Sequence, residues 1–186
     1  MWLNKTPILN LHIIEPELKI DQRGYFMETY HQEKLASLGI HYQFVQENQS
    51  YSKKGSIRGL HYQLNPHPQA KLIRVIEGEI WDVAVDIRLG SPTYGQWEGI
   101  ALSAQNRKQL LIPHGYAHGF SVISDHATVV YKCDNFYYPA AEAGIYCFDI
   151  QLEIDWKIDT TPILSEKDEY LPKFKDAITN FNYRML

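Results

Sequence analysis

The densest group of polar side chains in the 186-residue sequence is the segment GSIRGLHYQ, residues 55–63. An imidazole can accept a proton near neutral pH because its ordinary pKa is about 6.5, so His61 is a candidate general base. Gly59 would let the backbone approach another part of the molecule closely. In a regular strand Arg58 and Tyr62 would share one face and His61 the other, unless a bulge at Gly59 changes the phase. Taken alone, the segment is more typical of a turn followed by a strand with a buried, hydrogen-bonded histidine.

Three further segments place polar side chains next to glycine or aromatic residues. In DQRGYFME, residues 21–28, Arg23 could hold a phosphate while Phe26 packs nearby, although a surface turn is the more common origin of this pattern. In PHGYAHGF, His118 lies between apolar stretches. The run QENQS, residues 46–50, is typical of a loop. None of these segments indicates a function by itself.

Lys71 and Tyr131 lie at or within apolar strands. A single lysine in that position is usually a solvated strand end, and a tyrosine there usually packs in the core. Tyr137, just before Pro139, is likewise typical of a packing residue. Any function for these residues depends on what the fold places beside them.

Short β-strands separated by turn residues are the elements that must position these side chains. The run WDVAVDI, residues 81–87, alternates Trp, Val, Val and Ile with Asp, Ala and Asp, which predicts a strand. A strand over 72–76 precedes it, and the sequence EGE at 77–79 predicts a hairpin turn between them. The spacing of roughly ten residues between such runs predicts an antiparallel sandwich or barrel. Further strands are predicted over residues 99–102, 109–112, 119–122 and 128–132.

Helical patterns are few. A helix is predicted over residues 32–38, with Gly39 as its C-cap. Ser165 could cap a short helix or turn that continues to residue 168. A third helix is predicted over residues 173–180.

The composition suits one intracellular domain that spans residues 1–186. The formal net charge is −4, which gives no indication of nucleic-acid or membrane binding. Cys133 and Cys147 form no C-x-x-C pair, so a reducing cytoplasm with two thiols as apolar fillers is the simplest interpretation. Residues 1–11 contain no secretory apolar run, and no stretch is apolar enough to cross a bilayer.

Six segments, in this order, resemble the dTDP-4-dehydrorhamnose 3,5-epimerase family. Each segment alone is a weak signal, whereas six in order form a strong one, and they extend from about Asp21 to Asp168. They are DQRGYFME, QENQSYSKKGSIRGLHYQ, KLIRVIEGEIWDVAVDIRLGSPTYG, IPHGYAHGF, YKCDNFYYPAAEAGI and ILSEKD. The stretch CFDIQL, residues 147–152, lacks the D-D-P turn of the family, in a region that is not expected to do chemistry.

The resemblance implies a mainly β fold of the double-stranded β-helix (cupin, or jelly-roll) class with a few short peripheral helices. It also implies a homodimer that uses no cofactor and no metal. The implied reaction is the 3,5-epimerisation of dTDP-4-dehydro-6-deoxy-D-glucose to dTDP-4-dehydro-L-rhamnose. That reaction belongs to dTDP-L-rhamnose biosynthesis, which can supply a surface polysaccharide.

Four catalytic roles follow from the resemblance. His61 would be the general base, and Asp168 would pair with it and orient it. Tyr131 would be the general acid on the opposite face of the sugar. Lys71 would lie near the C4 oxygen of the substrate. The ketone at C4 acidifies the protons on C3 and C5, and an ammonium can stabilise the resulting enolate oxygen.

Other positions would bind the substrate. Two arginines would hold the diphosphate, because guanidinium groups bind phosphates in a bidentate manner, and one tyrosine would stack on the nucleotide base. The arginines are Arg23 and Arg58, the tyrosine is Tyr137, and the other positions are Phe26, Glu28, Gln46, Glu47, Asn48, Lys71, His118, Glu142 and Lys167.

Three alternatives remain open at this stage. An enzyme that inverts only C3 or only C5, or that acts on another 4-keto sugar nucleotide, would share these motifs. A metal-dependent cupin is the second, because the spacing P-x-G-x-x-H that ends at His118 also occurs there. Metal-binding cupins usually add an H-x-H pair and a glutamate, where this chain has only HYQ at 61–63. The third is a sugar-nucleotide-binding module without activity, which would need no acid–base pair.

Overall fold

The computed structural model describes residues 1–9 and 11–183. Short strands are the main regular elements of this part of the chain, and two short helices lie outside the sheets. The strands are β1 (Trp2–Lys5), β2 (His12–Glu15), β3 (Leu18–Asp21), β4 (Gly24–Met27), β5 (Gln46–Lys53), β6 (Ile57–Gln63), β7 (Lys71–Glu77), β8 (Glu79–Asp86), β9 (Trp97–Ser103), β10 (Gln109–Ile112), β11 (Tyr116–Val122), β12 (His126–Cys133) and β13 (Glu142–Gly144). The helices are α1 (Gln32–Ser37) and α2 (Glu166–Glu169), with 3₁₀ turns at Pro139–Ala141 and Phe174–Asp176.

Two antiparallel sheets pack against each other. One has the strand order β1-β2-β10-β7-β12-β5 and the other β13-β6-β11-β8-β9, while β3 and β4 form a separate hairpin. Ile73 and Val129 from the first sheet meet Ile80 and Phe120 from the second in one buried apolar cluster. The mainly β, jelly-roll class with short peripheral helices is therefore confirmed.

Strand β8 shows how polar groups come to lie between the sheets. Its odd-numbered side chains, such as Val83, pack against Trp156 from the C-terminal part of the chain, which covers the outer face of the five-stranded sheet. Its even-numbered Ile80 and Ala84 face the cluster between the sheets. Because side chains alternate along a strand, the fully buried Asp82 shares that inner face. The period-two pattern thus predicted the strand, but it did not show that the face with Asp82 lies inside the sandwich, because the C-terminal part of the chain covers the more apolar face.

All the predicted strands are present, and the one over residues 109–112 coincides with β10. The expectation of a loop at residues 46–50 is wrong, because this run begins β5, which pairs with β12 along its whole length. Its side chains alternate between exposed and partly buried, as in a strand. The inward positions are polar because they face a cavity, which is why composition alone indicated a loop.

Two of the three predicted helices are present. Helix α1 ends at Ser37, and Gly39 adopts a positive φ of 84°. Helix α2 begins after Ser165, whose side chain accepts a hydrogen bond from the Asp168 N–H at 3.2 Å.

The helix expected over residues 173–180 is wrong. Only the 3₁₀ turn at Phe174–Asp176 forms, and the chain then continues without regular structure. The Tyr62 hydroxyl donates to the carbonyl of Ile178 at 2.7 Å, and the Thr179 hydroxyl donates to that of Ile87 at 2.8 Å. These contacts hold the segment against the five-stranded sheet, and tertiary packing overrides its helical pattern. Within the described residues no helix has the length and apolar character that a membrane crossing requires.

Candidate active site

A cavity of about 480 Å³ opens between the two sheets. Strands β5, β6, β7, β11 and β12 line it together with residues 163–168, so it draws on both sheets and on helix α2. A second cavity of about 240 Å³ adjoins it. His61, Lys71 and Tyr131 line both, so these three side chains lie where the cavities meet.

His61 is paired with Asp168. Asp168 Oδ1 lies 2.6 Å from His61 Nε2, and the Asp168 side chain is almost fully buried. Burial would raise the pKa of Asp168, but the hydrogen bond and charge of His61, the Ser165 side chain and the Gly59 N–H outweigh it and hold that pKa below its ordinary value. Asp168 is therefore ionised at neutral pH and can only accept from His61.

A close backbone approach sets the direction of His61. Gly59 has a φ of +120°, and a Cβ built there would lie 2.5 Å from the Gly119 Cα. The pairing of β6 with β11 shifts register between His61 and Arg58, which is a bulge at Gly59. Regular alternation is thus broken, and Arg58 and His61 both line the cavity instead of pointing to opposite faces. This outcome is the bulged alternative that the sequence left open.

Lys71 and Tyr131 lie close together on neighbouring strands of the six-stranded sheet. The Lys71 Nζ is 6.0 Å from the centroid of the Tyr131 ring. Burial lowers the pKa of Lys71, and the nearby Cys133, Asp82 and Glu142 oppose that effect only in part. Burial also raises the pKa of Tyr131. At neutral pH Tyr131 therefore keeps its phenolic proton.

His118 forms a second histidine–carboxylate pair at the base of the cavity. Its Nε2 lies 3.0 and 3.1 Å from the two carboxylate oxygens of Asp82, and both residues are buried. Burial lowers the pKa of His118, as do the nearby Lys71 and His61, while Asp82 raises it. His118 lies directly opposite His61 in the pairing of β11 with β6. The sequence named His118 but gave no signal for Asp82, because the alternation along residues 81–87 puts it on the polar face of the strand, which usually faces solvent.

Arg58 presents its guanidinium along the cavity wall. Its Nε donates to the hydroxyl of Ser52 at 2.8 Å, and its Nη2 donates to the carbonyl of Tyr51 at 3.3 Å. These contacts orient the group and leave part of the fork available to a ligand. Ser52 and its inward neighbour Ser50 were not singled out from the sequence. Because side chains alternate along a strand, counting in steps of two from Asn48 along β5 identifies both positions.

Three predicted binding residues form a hydrogen-bonded chain at the rim. Glu142 Oε2 accepts from the Tyr137 hydroxyl at 2.7 Å and from Lys167 Nζ at 2.5 Å. Burial would raise the pKa of Glu142, but Lys167, Tyr137 and His61 together lower it. Lys167 lines the larger cavity, whereas Tyr137 and Glu142 line the smaller one.

The predicted run of Gln46, Glu47 and Asn48 is divided between the two faces of β5. Gln46 and Asn48 line the smaller cavity, and Gln46 Nε2 donates to Asn48 Oδ1 at 3.0 Å. Glu47 is exposed and forms an ion pair with Lys132. The expectation that Glu47 lines the cavity does not hold within this chain, because successive side chains of a strand point to opposite faces.

Arg23, Phe26 and Glu28 also lie outside the cavity of this chain. The Arg23 side chain is 89% exposed and binds Asp21 at the turn between β3 and β4. Phe26 is 67% exposed, and Glu28 pairs with Lys34 at 2.7 Å. The hairpin that carries them is a separate two-stranded sheet, so one chain does not bring them to His61.

The described residues include no cluster of side chains that could serve as ligands of a metal ion. No group of three or more His, Cys, Asp or Glu side chains is arranged there to hold an ion. The two cavity histidines each face a single carboxylate, Asp168 or Asp82. Such pairs orient an imidazole and fix its tautomer.

Comparisons with known proteins agree with this fold and site. The model of the family described as dTDP-4-dehydrorhamnose 3,5-epimerase matches residues 5–176. A protein of that name from Shigella flexneri is 50% identical over 174 residues, which are 93% of this chain and 96% of that protein. A more distant relative, a dTDP-4-dehydrorhamnose 3-epimerase from Streptomyces niveus, is 41% identical over 91% of this chain and 82% of its own length.

Solved structures show the same likeness. The dTDP-4-dehydrorhamnose 3,5-epimerase of Elizabethkingia anophelis has a TM-score of 0.90 and 49% identity, with 95% of this chain and 97% of that chain covered. The dTDP-6-deoxy-D-glucose-3,5-epimerase of Legionella pneumophila, in complex with dTDP-4-keto-L-rhamnose, has a TM-score of 0.90 and 47% identity, with 94% and 93% covered.

The fold, the cavity and these similarities define an isomerase of the carbohydrate-epimerase class. More specifically, the chain belongs to the dTDP-4-dehydrorhamnose 3,5-epimerase family.

Proposed function

We propose that the protein converts dTDP-4-dehydro-6-deoxy-D-glucose to dTDP-4-dehydro-L-rhamnose by inverting C3 and C5. One observation carries the proposal: His61 from one sheet and Tyr131 from the other line the same cavity, beside Lys71. Inversion next to a ketone needs a base on one face of the sugar and an acid on the other. A cavity between two sheets supplies such a pair.

His61 begins the reaction as the general base. Because ionised Asp168 accepts from Nε2–H, the lone pair of the neutral ring is at Nδ1, which takes the proton from carbon. The C–H bond breaks, its electrons form the enolate, and negative charge develops on the C4 oxygen. The Lys71 ammonium stabilises that oxygen, and Asp168 stabilises the imidazolium.

Tyr131 completes the inversion as the general acid. Its phenol gives a proton to the carbon from the opposite face, and the enolate becomes a ketone again. His61 then holds an extra proton and Tyr131 lacks one, and exchange with solvent restores both. Each inverted centre therefore acquires one solvent proton.

The rim residues suit the nucleotide part of such a substrate. Arg58 and Lys167 provide cations for the diphosphate, and the exposed ring of Tyr137 offers a flat surface to the base. Gln46, Asn48, Glu142 and His118 supply polar groups between these ends.

A homodimer is part of the proposal. The β3–β4 hairpin exposes Ile20, Tyr25 and Phe26 by 56% or more, which is unusual for a face left in water. A second copy that covers this hairpin would bury its apolar side chains. It would also allow Arg23 and Glu28 of the partner subunit to approach a cavity that they do not reach in their own chain.

The dimer can be tested by complementation. His61→Ala and Arg23→Ala variants, each nearly inactive alone, should regain about a quarter of wild-type activity when their subunits are allowed to exchange. This follows because half of the dimers are then mixed and each mixed dimer has one intact site. Absence of any recovery would show that Arg23 does not serve the partner's cavity.

We also propose a single cytoplasmic domain that acts in dTDP-L-rhamnose biosynthesis. The shared core of the two sheets supports one domain, although residues 10 and 184–186 of the expected range lie outside the described residues. Cys133 and Cys147 are free and buried, as in proteins of a reducing compartment.

Inversion at C3 or C5 alone is the second candidate, and the likeness to the Streptomyces 3-epimerase supports its C3 form. Incubation with dTDP-4-dehydro-6-deoxy-D-glucose in heavy water separates the two. Deuterium at both C3 and C5 supports the proposal, and deuterium at one carbon supports the single inversion. No deuterium at either carbon would exclude both for this substrate.

A further inference from the structure

Residues 135–138 follow β12 without regular secondary structure, yet side-chain amides meet their backbone groups. The Gln69 Nε2 donates to the carbonyl of Asn135 at 2.8 Å. The N–H of Tyr137 donates to Gln46 Oε1, also at 2.8 Å. These contacts take the place of strand pairing for this segment.

Gln63 makes the central contact with the segment. Its Oε1 accepts the N–H of Tyr138 at 2.7 Å, and its Nε2 donates to the carbonyl of Phe136 at 3.3 Å. One carboxamide therefore holds the backbone on both sides of Tyr137. The same Nε2 donates to the carbonyl of His67 at 2.7 Å, which joins a second loop to the first.

Gln63 is buried, so its hydrogen bonds to the segment are shielded from water. It is only 3% exposed and lies near the end of β6, two residues after His61. The Tyr137 ring, by contrast, is half exposed and lines the smaller cavity, with only its hydroxyl bound to Glu142. The backbone contacts of Gln63 thus fix an aromatic ring that few side-chain contacts hold.

We propose that Gln63 is a positioning residue that presents the Tyr137 ring to the nucleotide base of the substrate. The inference rests on the proposed function, which places a dTDP-linked sugar in this cavity. A ring that is held before binding loses less conformational freedom when the base arrives, so nucleotide affinity is higher. Gln63 itself lines the smaller cavity, but its amide oxygen and nitrogen are bound to backbone groups on either side of Tyr137. Its proposed effect therefore acts through the backbone of Tyr137.

A double-mutant cycle with dTDP as the ligand tests the inference. Gln63→Met keeps the length of the side chain but removes its amide. We expect this variant to bind dTDP about tenfold more weakly in a calorimetric titration, with a similar rise in KM and a kcat within about twofold of wild type. In a Tyr137→Ala background the same change should weaken dTDP binding by less than about twofold.

Asn106→Leu is the matched control for loss of a side-chain amide. Asn106 accepts from the Ser103 and Lys108 N–H groups and donates to the carbonyl of Ala101, in a turn that lines neither cavity. The Asn106→Leu variant should have a lower melting temperature than wild type but the same affinity for dTDP. Gln63→Glu provides a second variant that keeps the acceptor for Tyr138, and we expect it to fall between wild type and Gln63→Met.

The outcomes separate the two proposals. Equal losses of dTDP affinity from Gln63→Met in the presence and absence of the Tyr137 ring would overturn the positioning role. A lower kcat at unchanged KM would overturn it as well. A wild-type protein that fails to bind dTDP would overturn both this inference and the proposed function.

Discussion

The Oδ1 atom of Asp168, in the first turn of α2, lies 2.6 Å from the Nε2 atom of His61, on β6. These residues are 107 positions apart, and the contact fixes which ring nitrogen is free. An ionised carboxylate at Nε2 requires a proton there, so Nδ1 carries the lone pair. This geometry suits the proposed role of His61 as an oriented base, because a buried charge would stabilise its cation.

Asp168→Asn should therefore slow the chemistry more than it weakens binding. The amide retains the size of the carboxylate but removes the charge that stabilises the imidazolium. We expect kcat to fall by a factor on the order of 10², with KM changed only slightly. Steady-state kinetics on dTDP-4-dehydro-6-deoxy-D-glucose measures both values. Glu169→Gln, an exposed change on the same helix, is the control, and a near-wild-type kcat for Asp168→Asn would contradict the role.

Tyr131→Phe should separate proton exchange from inversion. The variant keeps His61, so a proton is still removed from carbon, but no acid remains on the opposite face. The imidazolium exchanges its proton with solvent, and the enolate is then reprotonated from the face of His61 and returns to the starting configuration. In heavy water we expect deuterium to enter the substrate faster than epimer appears, as measured by NMR.

The wild-type ratio of exchange to inversion is the reference for that variant. If Tyr131→Phe inverts the centre as efficiently as it exchanges the proton, another group supplies the acid. His61→Ala should abolish both processes, lowering each by about 10²–10⁴-fold.

The sequence predicted most of the fold for a physical reason. Runs such as residues 81–87 and 109–112 are short and rich in apolar, β-forming residues, and they form strands that are buried on both faces. Local pattern and tertiary environment therefore agree. Agreement failed where packing opposed the local pattern. The sequence of residues 173–180 predicts a helix, but hydrogen bonds of Tyr62 and Thr179 hold this segment against the sheet in a non-helical conformation.

The candidate site was predictable only in part. Its residue type made His61 a candidate, and the family resemblance gave it the role of base. The bulge that turns His61 and Arg58 to one cavity depends on the approach of Gly59 to Gly119. Glu47 lies between two cavity residues in the sequence, but its side chain points to the opposite face of β5 and is exposed. The residues of the β3–β4 hairpin do not reach the cavity of their own chain. In the proposed dimer their placement would depend on a second chain, which no pattern within one chain specifies.

Lys71 should set the alkaline limit of activity. In the proposed mechanism Lys71 acts as a cation, and burial holds its pKa below the ordinary 10.5, so its charge is lost as pH rises through that lowered value. Tyr131 would act in its protonated form, and its pKa is raised above the ordinary 10.0, so it keeps its proton up to that pH. We therefore expect kcat to fall on the alkaline side through a pKa below 10.5.

Lys71→Arg identifies the group responsible for that limit. A guanidinium stays charged throughout the accessible range. The variant should be slower, because its planar group fits the enolate oxygen less well, but its alkaline decline should move to higher pH. Brief exposure to each pH, followed by assay at pH 7, controls for unfolding. A decline at the same pH in both proteins would assign the limit to another group.

Gly59→Ala should destabilise the protein strongly. A methyl group at this position would lie 2.5 Å from the Gly119 Cα and 2.6 Å from the His118 carbonyl oxygen, and the residue has a φ of +120°. Gly90→Ala is the matched control, because its φ is +80° but no atom lies within 4 Å of the added carbon. We expect the control to lower the free energy of unfolding by about 1–2 kcal/mol and Gly59→Ala to lower it by about 3 kcal/mol or more. Urea denaturation at matched protein concentration measures the difference, which combines the contact between β6 and β11 with the greater backbone strain at a φ of +120° than at +80°. Equal losses in the two variants would show that β6 can move away from β11 freely, and the bulge would then not be what directs His61 into the cavity.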